Sequence, residues 1–330
     1  GGFHARQRCA GVRVGRFVSE GLRIPEGRAS GRSPWRLIGP FLGQTRRTQR
    51  CPETPRLSDM LAVVTGATSG IGVEIARGLA RRGADLILPC RDRAKGARIG
   101  EAIRAEAGVE VSVVKAELSD LDSVRKGAEA IEARAAGRRV DILVENAGIW
   151  PQHHATTRQG HEIAFGVNVL SHFVLRQLLQ RKGLLRDGRV VIVTGDIYVL
   201  ASDCTPDFAW EGRRGGMQAY CRSKLGNLWI AGELRRQSPE LTVLAVHPGV
   251  VATNLGGRVG AVGDWLRRRV MISPDLGSQT PLVCATQDGL ENGGYYHNTS
   301  GLLRISPRDP AHSAEFAARL WQTCEELAAS

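Results

Sequence analysis

Tyr220 and Lys224 stand four residues apart in the run Tyr220-Cys-Arg-Ser-Lys224. On a helix that spacing sets a phenol and an ammonium one turn apart on the same face. A free phenol titrates near ~10, too high for ready proton exchange at neutral pH. A neighbouring cation favours the phenolate and lowers that value, so a Tyr/Lys pair is a device suited to general acid–base chemistry. The spacing alone is cheap, because any helix that holds both residues can produce it.

A second signal lies near the first convincing strand. Leu61-Ala-Val-Val-Thr65 is followed by Gly66-Ala-Thr-Ser-Gly70-Ile71-Gly72. The glycines let the backbone turn sharply and approach a pyrophosphate, and the helix that follows offers unpaired N–H groups and a favourable dipole. Thr68 and Ser69 add hydroxyl donors. At the tip of the next strand stand Cys90 and Arg91, not the carboxylate that would hold a ribose 2′-hydroxyl. Arg91 suits a 2′-phosphate, which points to NADP rather than NAD. Glu117 and Leu118 follow the third strand, where an acidic side chain could meet adenine. Asn146-Ala147-Gly148 follows the fourth and could pass under a nicotinamide ribose. Each falls at the carboxyl end of an expected strand, the edge where open α/β sheets bind ligands.

The elements that must position these residues alternate. Strands are expected at Leu61–Thr65, Asp85–Leu88, Glu110–Val114, Asp141–Val144, Arg189–Thr194, Thr242–Val246 and Tyr295–Tyr296. Helices are expected from Ile71 to a stop at Gly83, over Ala94–Ala107 and over Leu121–Ala136. Apolar strands alternating with helices imply a doubly wound α/β fold, a seven-stranded and mainly parallel sheet covered on both faces. No internal repeat or mid-chain linker is visible, so residues 60–330 read as one domain.

The formal charge of the 330 residues is +12, yet it is unevenly placed. Residues 1–59 hold 12 Arg, no Lys and 4 acidic residues, a net +8, leaving +4 for the rest. That stretch lacks periodicity and reads as a disordered extension. A transit peptide, a nucleic-acid-binding arm, or translated upstream sequence would each have this composition. The last is preferred, because the chain opens on Gly and Met60 sits directly before the first strand. No run approaches the ~20 apolar residues of a membrane span. The seven cysteines form no CxxC pair, so neither a zinc site nor a disulfide framework is indicated. A reducing, cytoplasmic setting suits them.

Taken together, the motifs resemble the short-chain dehydrogenase/reductase family. The matching pieces are Thr65-Gly66-(x)3-Gly70-Ile71-Gly72, Asn146-Ala147-Gly148, Asn168 within Phe165-Gly-Val-Asn-Val-Leu-Ser-His-Phe173, Tyr220-(x)3-Lys224 and His247-Pro248-Gly249-Val-Val-Ala-Thr253. The retinol-dehydrogenase-like branch is suggested by Cys90-Arg91-Asp92, by Tyr220-Cys-(x)-Ser-Lys-Leu and by the tail Arg304-Ile-Ser-Pro307 with Arg319-Leu-Trp321. The resemblance implies that Tyr220 is the general acid/base and that Lys224 binds the nicotinamide ribose and depresses the Tyr220 pKa. It implies that Asn168 positions Lys224 through a water-linked relay, and that Pro248, Gly249, Val251 and Thr253 flank the nicotinamide carboxamide.

One position departs from the pattern. The family carries a serine just after the fifth strand, and here the aligned residue in Val193-Thr194-Gly195-Asp196 is Gly195. Thr194 is the expected substitute, with Asp196 and Ser202 weaker choices. Glu145 and Glu117 are smaller departures. The function expected is NADP-dependent hydride transfer to or from a lipophilic carbonyl or alcohol. The alternative is an NADP-binding protein with weak or no catalysis. The expected partner is that small-molecule substrate, with self-association into a homo-oligomer also admitted, and without nucleic acid.

Overall fold

A computed structural model of the chain describes residues 24–28, 43–206, 208, 210, 212, 215–252 and 271–329. One short strand, β1 (Glu26–Arg28), precedes the expected ones. They follow as β2 (Leu61–Val64), β3 (Asp85–Cys90), β4 (Val111–Lys115), β5 (Ile142–Glu145), β6 (Arg189–Val193), β7 (Thr242–His247) and β8 (Tyr295–His297), and a further short strand, β9 (Gly301–Arg304), comes after them. Every residue of β2 and β5 is buried, which is why these strands read as unbroken apolar runs.

The strands line up as β1-β9-β8-β7-β6-β5-β2-β3-β4. The seven expected strands form one parallel block from β8 to β4. Beyond it β9 runs antiparallel to β8, and β1 pairs with β9. The sheet therefore has nine strands where seven were expected. The two extra strands are three and four residues long, too short for alternation to mark them.

The helices are α1 (Gln44–Arg47), α2 (Ile71–Arg81), α3 (Arg93–Ala107), α4 (Leu121–Ala135), α5 (Ile163–Phe165), α6 (Ser171–Arg181), α7 (Gly215–Gln237), α8 (Pro274–Thr286) and α9 (Ala314–Ala329). Two apolar layers sandwich the sheet. One holds Ile75, Leu79, Ile103 and Leu282 of α2, α3 and α8; the other holds Ile131, Phe173, Leu225 and Leu320 of α4, α6, α7 and α9. Gly83 closes the β2–α2 unit at φ +97°, a conformation that glycine adopts without strain.

From β2 the chain steps outward through β3 to β4, then returns to lay β5 on the opposite side of β2. This reversal opens a crevice at the carboxyl ends of β2 and β5, the place where such sheets bind ligands.

Described residues ahead of Met60, the expected start of the domain, pack against it. Gln44, Thr48, Cys51 and Leu57 are all buried, and the Leu57 N–H donates to the Arg82 carbonyl at 2.7 Å. Isolated anchors separated by polar and proline residues hold this stretch, so no periodicity announces it.

Candidate active site

Thr65, at the end of β2, ties the glycine turn to the loop after β5. Its Oγ1 accepts the N–H groups of Asn146 and Ala147, each at 3.0 Å, and Asn146 Nδ2 donates to the Thr65 carbonyl at 2.9 Å. Gly66 sits at φ +69° in this close approach, and a Cβ there would stand 2.8 Å from Ala147 Cα. A Cβ on Gly72 would meet the Gly66 carbonyl. No side chain caps α2 at Gly70, so its first-turn N–H groups remain available to an anion.

The buried ring of His172 extends this tie. It lies 2.9 Å from Thr65 Oγ1 through Nε2 and 3.3 Å from the Asn168 carbonyl through Nδ1. A carbonyl only accepts, so Nδ1 carries the proton and Nε2 accepts from Thr65. Burial pushes the His172 pKa down to about 4, so the ring is neutral at pH 7.

Asn168 belongs to a π-helical turn, Gly166–Leu170, between α5 and α6. Such turns interrupt the regular helical ladder and recur at functional sites. The Asn168 side chain accepts from Ile149 N–H at 2.8 Å and donates to the Ile149 carbonyl and to Ser223 Oγ, at 3.0 and 2.9 Å. Ser223 in turn donates to the Tyr220 carbonyl at 2.8 Å. One hydrogen-bonded chain therefore runs from the glycine turn to α7.

Tyr220 and Lys224 lie one turn apart on α7, the Lys224 Nζ 5.4 Å from the phenol ring centroid. Lys224 is buried, and Nζ donates to the Val193 carbonyl at 3.0 Å. Burial lowers its pKa to about 8. The Tyr220 pKa is raised, chiefly by burial, opposite to the lowering the Tyr/Lys spacing implied. Desolvation disfavours both charged forms. The Trp150 ring lies parallel to the phenol with centroids 5.2 Å apart.

The short chain dehydrogenase family model matches residues 60–261. The chain belongs to the short chain dehydrogenase family. It is retinol-dehydrogenase-like: human (Homo sapiens) retinol dehydrogenase 13 is 35% identical over 296 residues, covering 84% of this chain and 87% of that protein. Human retinol dehydrogenase 12 is 37% identical over 287 residues, covering 84% and 89%. Among solved structures, a short chain dehydrogenase from Burkholderia cenocepacia J2315 in complex with NADP matches with a TM-score of 0.58 and 26% identity, over 75% of this chain and 99% of that one. As a family member, this short chain dehydrogenase is an NAD(P)-dependent oxidoreductase acting on alcohol or carbonyl groups.

The other sequence-derived positions of this short chain dehydrogenase fall as follows. Thr68, Ser69 and Ile71 lie in or beside the turn before α2. Arg91 is exposed at the tip of β3, and its carbonyl accepts from Lys115 Nζ. The Asp92 carboxylate next to it caps α3, accepting from Lys95 N–H at 2.9 Å. Glu117 is turned onto its own loop, its Oε1 accepting from the Ser119 hydroxyl at 3.0 Å, and Leu118 packs against the core. Gly148 faces the site: a Cβ there would lie 3.6 Å from Lys224 Nζ. Pro248, Gly249 and Val251 leave β7 at the same sheet edge, while Thr253 lies outside the described residues.

Thr194 directly follows β6. Its Oγ1 is buried and donates to the Lys224 carbonyl at 2.7 Å, so its only proton is committed to α7. Gly195 has extended backbone at φ −175°. A Cβ there would have His247 Nδ1 as its nearest neighbour, at 3.7 Å, which is ordinary contact.

Asp196 joins a buried cluster instead. Tyr295 donates to its Oδ1 at 2.5 Å, and His297 Nε2 stands 3.1 Å from Oδ2. Burial raises the Asp196 pKa, but His247 and His297 outweigh it and hold the carboxyl well below its usual range. Asp196, His247 and His297 have ligand atoms within 4.8 Å of one another. Their donors do not fit a cation, however. Nδ1 of His297 accepts from Thr299 N–H at 3.1 Å and Nδ1 of His247 from Asp196 N–H at 3.3 Å. With Nδ1 accepting in both rings, the ring proton sits on Nε2.

The sequence reading gave no role to Thr65, His172, Ser223 or Trp150, although the first three stand inside the motifs it matched; Trp150 had no signal beyond apolar character.

Proposed function

We propose that the protein is NADP-dependent and moves a hydride between the nicotinamide and a lipophilic alcohol or carbonyl. The observation that carries the cofactor choice is at the β3 tip. Arg91 is exposed there, and the adjacent carboxylate of Asp92 is occupied in capping α3. A guanidinium without a competing carboxylate favours a 2′-phosphate over a 2′-hydroxyl.

The residues present fit a dinucleotide. Gly66 and Gly72 let the turn pack directly on Asn146 and Ala147, and the uncapped α2 terminus presents N–H donors to an anion. Gly66–Gly72 would hold the pyrophosphate, and Lys224 with Asn146–Gly148 the nicotinamide ribose. When bound, the nicotinamide supplies or accepts the hydride. Tyr220 gives or takes the proton at the substrate oxygen, and the Lys224 ammonium favours the phenolate. Asn168 and Ser223 hold α7 in register with the loop after β5.

The lipophilic substrate is supported by the apolar surroundings of the phenol. Trp150 covers one face of Tyr220, and Met217, three residues before it on α7, is exposed. The named relatives are retinol dehydrogenases, and retinol is itself a lipophilic alcohol. Six buried, unpaired cysteines among the described residues support a reducing, cytoplasmic setting.

A second reading, a cofactor-binding protein with little turnover, is favoured by Gly195 and by the committed hydroxyl of Thr194. A panel of carbonyls with NADPH and NADH, and of alcohols with NADP⁺, separates the two. The proposal expects NADPH oxidation that Tyr220→Phe reduces by about 10²–10⁴-fold while NADPH binding persists. It also expects Arg91→Ala to erode the preference for NADPH. Equal affinity for NADPH and NADH in the unmutated protein removes the cofactor assignment, and full activity in Tyr220→Phe removes the mechanism.

A further inference from the structure

The segment ahead of β2 reaches the loop after β7 through one side chain. Gln44 of α1 is 2% exposed. Its Oε1 accepts the Val250 N–H at 3.0 Å, and its Nε2 donates to the Val250 carbonyl at 3.2 Å. One amide thus pairs both backbone groups of one loop residue, as a neighbouring strand would.

A second tie lies alongside. Gly249 takes φ +94° against the side chain of Asn298, and Asn298 Nδ2 donates to Thr48 Oγ1 at 3.0 Å. Thr48 Oγ1 donates to the Gln44 carbonyl at 2.8 Å. The segment is itself anchored on α8, where Cys51 N–H donates to Gln279 Oε1 at 2.9 Å and Arg50 pairs with Asp275 at 3.2 Å.

We propose that Gln44 is a positioning residue for the nicotinamide half of the cofactor site, fixing the loop Pro248–Val251 from outside the sheet. The inference rests on reading that loop as the wall of the nicotinamide pocket. Apparent affinity falls in proportion to the fraction of molecules in the binding-competent conformation. Freeing the loop therefore weakens whatever the loop touches and leaves ligand parts held at the β2 and β3 tips unaffected.

The test is made on the full chain with Gln44→Met and Thr48→Val. Binding of NADPH is compared with that of adenosine 2′,5′-bisphosphate, which carries only the adenosine half. If the unmutated chain prefers NADH, NADH and ADP take their places. Gln44→Met should raise the NADPH Kd about tenfold, as expected for losing two hydrogen bonds, and leave the bisphosphate Kd unchanged. Thr48→Val should act in the same direction, more weakly. A melting curve on each variant verifies folding. Equal weakening of both ligands makes Gln44 a general stabiliser and overturns the proposal, and unchanged binding of both overturns it too. If the unmutated protein binds neither NADPH nor NADH, the nicotinamide reading itself has failed, a result distinct from either of these.

Discussion

At the scale of single residues, the decisive pair is Tyr220 and Lys224, because burial acts on both against ionisation. Lys224 titrates at about 8 in the unliganded fold, below its ordinary 10.5. Its ammonium form is charged and the stronger hydrogen-bond donor, so NADPH binding should weaken as pH rises through about 8, and Lys224→Met should bind weakly at every pH with that dependence gone. Fluorescence titration from pH 6.5 to 9.5 checks this, and a flat profile in the unmutated protein contradicts it. The unfolded chain binds more protons than the fold between about 8 and 10.5. Lys224 thus adds a stabilising contribution that is present above 10.5 and lost as pH falls through about 8. Gly195 gives a second prediction. Its extended backbone and free Cβ space admit Gly195→Ser without strain. Restoring an oxygen-polarising donor should raise kcat on the order of tenfold, a fraction of the 10²–10³ lost when such donors are deleted. An unchanged or lower kcat would mean that position 195 does not face the reacting oxygen. The Tyr/Lys spacing and the glycine turn were legible because each is a local pattern. The fate of the Thr194 hydroxyl was not, since its acceptor lies 30 residues away.

At the scale of elements, the site depends on β5 and α6 keeping their relative position. The loop after β5 carries Asn146–Gly148, and the π-helical turn before α6 carries Asn168. Glu145, the last residue of β5, pairs with Arg176 of α6 at 2.6 Å, and both side chains are almost fully buried. Burial raises the Glu145 pKa, with Arg176 opposing that rise. The Arg176 guanidinium also lies over the Phe173 ring at 5.6 Å and the Trp321 ring at 6.0 Å. Breaking such a pair from one side leaves an uncompensated charge, so Arg176→Met should cost roughly 3–5 kcal/mol of stability. The double variant Arg176→Met with Glu145→Leu should recover much of that loss. Denaturant unfolding of Arg176→Met, Glu145→Leu and the double variant measures it, and additive losses would show that the two side chains do not act as a pair. The sequence made the strands and helices legible through their periodicity. Glu145 read as a mild departure because its partner is 31 positions away and only the packed fold brings the two together. The π-helical turn is likewise invisible in periodicity, although the residue it presents, Asn168, was found through the family motif.

At the scale of the whole molecule, the described residues just ahead of Met60 pack against the domain. Leu57 is buried to 2% exposure. The buried guanidinium of Arg82 donates to the carbonyls of Pro52 and Cys51, at 3.1 and 3.3 Å, and within α2 only to Gly78, at 2.7 Å. A chain beginning at Met60 would lose the Leu57 contact, worth roughly 1.5–3 kcal/mol, and strand most of the Arg82 donors, which adds about 1–3 kcal/mol. It would also lose β1 from the sheet edge and the Gln44 tie to Val250. At about 2–4 °C per kcal/mol for a domain of this size, the melting temperature should fall by roughly 10 °C or more. Limited proteolysis should then cut first near α8, whose contacts with Cys51 and Arg50 are gone. Two partial variants separate the contributions. Leu57→Ala should reproduce the loss of buried apolar surface alone. Arg82→Met, which removes the donors and leaves the Pro52 and Cys51 carbonyls without them, should cost less than the truncation. An unchanged melting temperature for the Met60 chain would return the domain boundary to where composition and charge first placed it.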